Sequence, residues 1–250
     1  MTILDFVFLI LVGFFSGFLN VMAAGGSMFV VPFLIFLGLP PSVANATNRL
    51  AVLLHTSVAV MTFKQQKVLD LKTDKTIILP SLLGAMIGAY FATDIDEQVL
   101  ETIIGGLLVL MFFIFLFDTR KWMNKTDSTI IKQPKWVQFI VFLFIGFYSG
   151  FVQMGAGFFI LANFVITSKM NLLRANALKS LIICICTIVS TAIFIYNDLI
   201  KWEIGLVLAI GNVSGAYFAS ILSVKMDVKY IRYFVLFALI AVAIKMFGAI

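Results

Sequence analysis

Two cations stand inside stretches that are otherwise apolar: Arg49 in Ala44-Asn45-Ala46-Thr47-Asn48-Arg49-Leu50, and Lys179 in Ala175-Asn176-Ala177-Leu178-Lys179-Ser180-Leu181. A cation a turn or two inside a membrane segment is costly unless it is paired or wetted, and by default it marks a functional position. No carboxylate lies close in sequence to either one, so an anionic ligand is the natural counter-charge. Snorkelling of a long side chain to the headgroups is the alternative. Asn45 and Arg49 are one helical turn apart, as are Asn176 and Ser180, so each pair shares a face; Thr47, Asn48 and Lys179 are further candidates in the same two stretches. A guanidinium adds a planar fork that holds an oxyanion through two hydrogen bonds, which an ammonium cannot do.

A second source of anion chemistry needs no side-chain charge. Ala24-Gly25-Gly26-Ser27 and Gly155-Ala156-Gly157 interrupt apolar sequence. A helix restarting at Ser27 or Phe158 has N–H groups without intrahelical partners at the positive end of its dipole. Gly25, Gly26, Ser27, Gly155 and Gly157 are therefore candidates for binding a negative or strongly polar solute. The further candidate lining is Ser16 and Asn20, their counterparts Ser149 and Gln153, and Asn163, which stands where the first copy has Pro32. His55, the sole histidine, could relay a proton. Each of these polar residues has an ordinary alternative, a bond between helices worth about 0.6 kcal/mol.

Other chemistry finds no support. There is no cluster at metal-ligand spacing, no Gly-x-Ser-x-Gly and no phosphate loop ending in Lys-Ser or Lys-Thr. The chain is read as neither an enzyme nor a cofactor protein. Cys184 and Cys186 lie two apart in a predicted helix and point in different directions, which suits core packing better than a disulfide or a metal.

The elements that position these residues are membrane helices. The chain is 62% hydrophobic and 12% charged, against about 25% charged in soluble domains, and apolar runs of roughly 20 residues recur throughout. Asp5 is the only charge before Arg49, so the first run lacks a basic leader and is read as mature structure. Ten apolar segments fall near 3–23, 27–38, 44–63, 74–93, 99–117, 136–154, 157–168, 174–196, 203–221 and 229–248. The second and seventh, at about 18 Å of helix, are too short to cross a bilayer comfortably.

These segments form two copies of one pattern. Gly13-Phe14-Phe15-Ser16-Gly17-Phe18 recurs as Gly146-Phe147-Tyr148-Ser149-Gly150-Phe151, Ala44-Asn45-Ala46 recurs at 175–177, and Gly84-x3-Gly88-Ala89-Tyr90-Phe91-Ala92 recurs from Gly211 to Ala219. The predicted organisation is a first repeat at 1–117, a cytoplasmic linker at 118–135 and a second repeat at 136–250, together one membrane domain. The net charge of +6 is concentrated in the loops at 64–75, 118–135 and 225–232, so it reports orientation and not a nucleic-acid partner. Positive-inside bias puts these loops in the cytoplasm and both termini outside. Equivalent loops then fall on opposite faces, so the repeats are read as inverted. The expected fold is all-α, with 8–10 crossing or re-entrant helices and with the glycine-broken short helices meeting near the midplane. Short, glycine-interrupted segments at matching places in two repeats point to a transporter binding site.

The paired Gly-rich hairpins (Gly-Phe-Phe-Ser-Gly-Phe, Ala-Gly-Gly-Ser, Val-Pro-Phe-Leu), the Ala-Thr-Asn-Arg-Leu stretch at 46–50 and the Gly-Ala-Tyr-Phe-Ala copies give the chain a resemblance to the TauE/SafE family, also called the 4-toluene sulfonate uptake permease family. The second half departs more: its break reads Gly-Ala-Gly-Phe, and Leu178-Lys179-Ser180 replaces Thr-Asn-Arg. The resemblance implies a multi-pass protein of the bacterial inner membrane that moves sulfur-containing anions such as sulfite or sulfoacetate. The expected function is secondary transport of such an anion by alternating access, with the lipid bilayer and a coupling proton or cation as its other partners. An anion channel and a non-transporting scaffold subunit are the alternatives.

Overall fold

The computed structural model of the chain describes residues 3–23, 25–69, 75–116, 134–168, 170 and 172–222, and every regular element among them is a helix. In chain order these are α1 (Ile3–Ala23), α2 (Ser27–Phe36), α3 (Pro41–Gln65), α4 (Lys75–Asp94), α5 (Glu97–Leu116), α6 (Lys135–Phe151), α7 (Ala156–Ser168), α8 (Leu172–Tyr196) and α9 (Trp202–Leu222). The expected tenth segment, nearly all of the linker and the loop at 225–232 lie outside the described residues.

Five helices, α1, α4, α5, α8 and α9, are long and apolar enough to cross a membrane. At 10 and 13 residues, α2 and α7 reach only about 15 and 20 Å, short of a hydrocarbon core of about 30 Å. The 25-residue α3 has the length, but its first turns carry Asn45, Thr47, Asn48 and Arg49, all of them buried. Large side chains such as Phe8, Ile87, Phe113, Phe144 and Ile210 face outward. With no water to bond to inside a bilayer, a backbone that leaves the helix must be enclosed by protein. The short helices and their breaks meet that condition, because Gly25 through Pro32 and Val152 through Gly157 are all buried.

Two glycine-lined pairs hold the bundle together, and each joins one sequence half to the other. Gly13 and Gly17 of α1 lie against Leu208 and Asn212 of α9, while Gly211 and Gly215 of α9 lie against Ile10 and Phe14 of α1. Gly84 and Gly88 of α4 meet Leu143 and Phe147 of α6, while Gly146 and Gly150 meet Ser81 and Ala85. At each of these glycines a Cβ would overlap a carbonyl of the partner helix, so backbone touches backbone, as small residues allow in membranes. The contact positions rise together along both chains, so α1 runs parallel to α9 and α4 parallel to α6. The start of α3 is tied to the start of α5, where Ser42 N–H and Oγ donate to the Glu97 carboxylate. It is tied also to the start of α9 through Lys201 N–H donating to Thr47 Oγ1 at 3.1 Å.

Candidate functional site

Each hairpin break is built by its own local bonds. In the first, Gly26 presses against the Ser16 carbonyl so closely that a Cβ has no room. Asn20, near the end of α1, accepts the Ser27 N–H at 3.3 Å and donates to Ser27 Oγ at 3.3 Å. One of the open donors at the start of α2 is therefore already occupied. In the second half the interruption falls slightly earlier than the sequence suggests. Gln153 (φ 64°) and Gly155 (φ 71°) take left-handed backbone conformations, and α7 restarts at Ala156, not Phe158. Gly157 is thus in the first turn of the helix, and the loop is Val152–Gly155. The Tyr148 hydroxyl donates to the Met154 carbonyl and pins that loop.

The two buried cations have partners that no side-chain inventory discloses. Arg49, fully buried, donates from Nη1 to the Ser149 carbonyl and to Gln153 Oε1, and from Nη2 to the Gly150 carbonyl at 2.9 Å. Its guanidinium carbon lies 5.5 Å from the centroid of the Phe194 ring. Lys179, equally buried, donates to the Asn20 carbonyl at 2.7 Å, the Val21 carbonyl at 3.2 Å and Asn176 Oδ1 at 3.0 Å. Ser149 and Gly150 end α6, and Asn20 and Val21 lie near the end of α1. Each cation thus sits on the open carbonyls and negative dipole end of the first helix of the other half. Asn45 reinforces the first of these junctions by donating to the Phe151 carbonyl at 2.8 Å.

Between the breaks lies a small polar cavity of about 20 Å³, with Ser27, His55, Thr56, Gln153, Gly157 and Lys179 on its walls. Asn20 and Ser180 complete its polar rim. The breaks approach each other directly as well, since a Cβ on Gly155 would meet the Met28 side chain at 2.5 Å. His55 bonds through Nδ1 to the Ala51 carbonyl at 3.1 Å; as a carbonyl only accepts, Nδ1 carries the proton and Nε2 is left as the acceptor.

Of the residues singled out from sequence, Ser27, Lys179 and Ser180, with Asn20, His55, Gln153 and Gly157, converge on the cavity. Arg49 stands one residue behind it and reaches it through Gln153. Gly25, Gly26, Gly155, Asn45, Asn176, Ser16 and Ser149 support the breaks or the cations without lining the cavity. Thr47 holds the start of α9, Asn163 lies in α7 outside the lining, and Asn48 is wholly buried with neither amide atom bonded to protein. Thr56 was not anticipated. It lies on the face that Asn45, Arg49 and Val52 define at successive turns of α3, and that spacing was visible in the sequence.

The profile described as "Sulfite exporter TauE/SafE" matches residues 9–246. The chain belongs to that family. Among curated relatives, a "probable membrane transporter protein" ORF9 of Sinorhizobium is 27% identical over 96% of this chain and 91% of its own length. The "probable membrane transporter protein" YfcA of Escherichia coli K12 is 29% identical over 90% of this chain and 82% of its own length. The Bacillus subtilis relative YunE is 21% identical over 91% of this chain and 92% of its own length. No solved structure matches the chain. As a TauE/SafE member with five membrane-length helices among its described residues, the protein is a multi-pass membrane protein of a transporter family.

Proposed function

We propose that the protein is a secondary transporter of a small sulfur oxyanion or organosulfonate in the bacterial inner membrane. The observation that carries this reading is the enclosed polar cavity between the two helix breaks, with an ammonium on its wall and no carboxylate among its lining residues. At about 20 Å³ it has room for about one water, so a sulfite or sulfonate group enters only when the hairpins part. Opening toward one side and then the other is alternating access.

Lys179 supplies a coupling between binding and opening. An ammonium has three donors, and all three are engaged, two of them on the carbonyls of α1. An arriving oxyanion takes over one donor, most readily the one held by Val21 at 3.2 Å, and so loosens the end of α1 from α8. His55, with Nε2 as the acceptor, is the candidate carrier of a coupling proton. The parallel α1–α9 and α4–α6 pairs support an inverted relation of repeats at 1–117 and 136–250, and loop charge puts both termini outside. A channel would need a continuous path, which a cavity of this size does not favour.

The test is uptake of radiolabelled sulfite into proteoliposomes, paired with thermal unfolding in sulfite, thiosulfate, sulfoacetate and taurine. The protein should transport at least one of these anions, and that anion at 100 times its Kd should stabilise it by about 2.7 kcal/mol. Lys179→Ala should lower flux by at least roughly tenfold, a loss of about 1.4 kcal/mol, with the amount of inserted protein unchanged. Full flux in Lys179→Ala would remove the ammonium from the path.

A further inference from the structure

The helices that line the cavity also border a second, open space nearer one end of the bundle. Along α3 the cavity residues Val52, His55 and Thr56 are followed, about 12 Å further on, by Lys64. Along α8, Lys179 and Ser180 are preceded, about 8 Å back, by Arg174. Lys64, Lys67 and Arg174 are exposed, and together they border an open cleft of about 580 Å³ with Val68 and Leu69 at its base. Lys64 of α3, Lys67 of the turn after it and Arg174 of α8 therefore face one open space, about one Debye length from the cavity at physiological salt. The adjoining sequence keeps the excess positive, because Lys72, Lys75 and Lys169 outnumber Asp70 and Asp74. The opposite end is of the other sign: Asp94, Asp96 and Glu97 cluster where Glu97 binds Ser42, and Asp198 and Glu203 flank Lys201 where it binds Thr47.

We infer that Lys64, Lys67 and Arg174 form a capture site for the transported oxyanion at the cytoplasmic mouth, distinct from the cavity between the breaks, and that it makes anion entry faster from the cytoplasm than from outside. The inference rests on the transport reading. A cleft lined by one sign of charge raises the local concentration of a counter-charged solute and its rate of entry, most strongly at low salt. The acidic far end withholds that advantage. Direction of net flux still follows the gradients; what differs between the faces is the concentration needed to saturate.

The experiment measures initial rates of radiolabelled sulfite transport by the full chain in everted and right-side-out vesicles at low and high ionic strength. In the parent protein, KM should be lower with the cytoplasmic face outward, and it should rise with salt on that face alone. Changing Lys64→Gln, Lys67→Gln and Arg174→Gln together should raise the cytoplasmic KM about tenfold and flatten its salt dependence, with kcat and the external KM unchanged. Lys64→Arg, Lys67→Arg and Arg174→Lys together should behave as the parent, which separates lost charge from lost folding. Equal KM values in the parent and the glutamine variant would overturn the capture site and leave the transport reading intact. A difference that vanishes in phosphatidylcholine liposomes free of anionic lipid would also overturn it, because the cations would then be holding phosphate headgroups. Parent protein that transports no anion would overturn both readings.

Discussion

A guanidinium that binds two carbonyls and an amide oxygen in a buried setting cannot be removed without leaving those acceptors bare. Arg49→Ala should therefore destabilise the protein by about 3 kcal/mol or more, seen as a fall of roughly 6 °C or more in thermal unfolding in detergent. Arg49→Lys should recover only part of this, because one ammonium does not reproduce a fork spread over Ser149, Gly150 and Gln153. Equal melting temperatures for parent and Arg49→Ala would show that the α6 end does not depend on it. At this scale the sequence was half legible. Arg49 and Lys179 stood out as charges in apolar runs, and the lack of a nearby carboxylate suggested an anion as their counterpart. Besides one side-chain amide each, Gln153 and Asn176, their partners in the structure are main-chain carbonyls, which every residue carries and no residue type announces. Lys179 remains beside the cavity, while Arg49 is withdrawn behind Gln153.

Helices meet here where glycine removes the side chain, and that gives a graded test. Gly17→Leu and Gly88→Leu would drive a side chain into the carbonyls of Asn212 and Phe147, and each should sharply reduce the yield of folded protein on size-exclusion chromatography. Gly105→Leu and Gly106→Leu in α5, where an added Cβ meets nothing within 4 Å, should leave the yield near that of the parent. Similar losses at all four positions would mean that helix propensity and not close packing sets the need for glycine. The existence, order and type of these elements followed from run length and glycine spacing. The exact place of the second break did not, because Gln153 adopts a left-handed conformation that its residue type does not favour. The Tyr148–Met154 bond within the second half and the cross-half bond from Arg49 to Gln153 hold it there.

Taken whole, the bundle places its basic mouth at the α3 end and α8 start, and its acidic turns at the opposite end. In a variant with Cys184→Ala and Cys186→Ala, Lys67→Cys should react with a membrane-impermeant thiol reagent only in everted vesicles, and Asp96→Cys only in intact cells. Reaction of both from one side would rule out the proposed orientation. Loop charge carried that orientation in the sequence; the pairing of α1 with α9 and of α4 with α6 was not legible, since a Gly-x3-Gly motif states that a helix will be approached closely but not by which neighbour. That pairing bears on how the protein is made. α1 leaves the ribosome well before its companion α9, and the lysine that seals the tail of α1 arrives only with α8. The early helices must therefore wait in the bilayer, loosely held, until α9 has been made. A chain halted before α9 would present quality-control proteases with an exposed seam, however well its opening segments had been inserted.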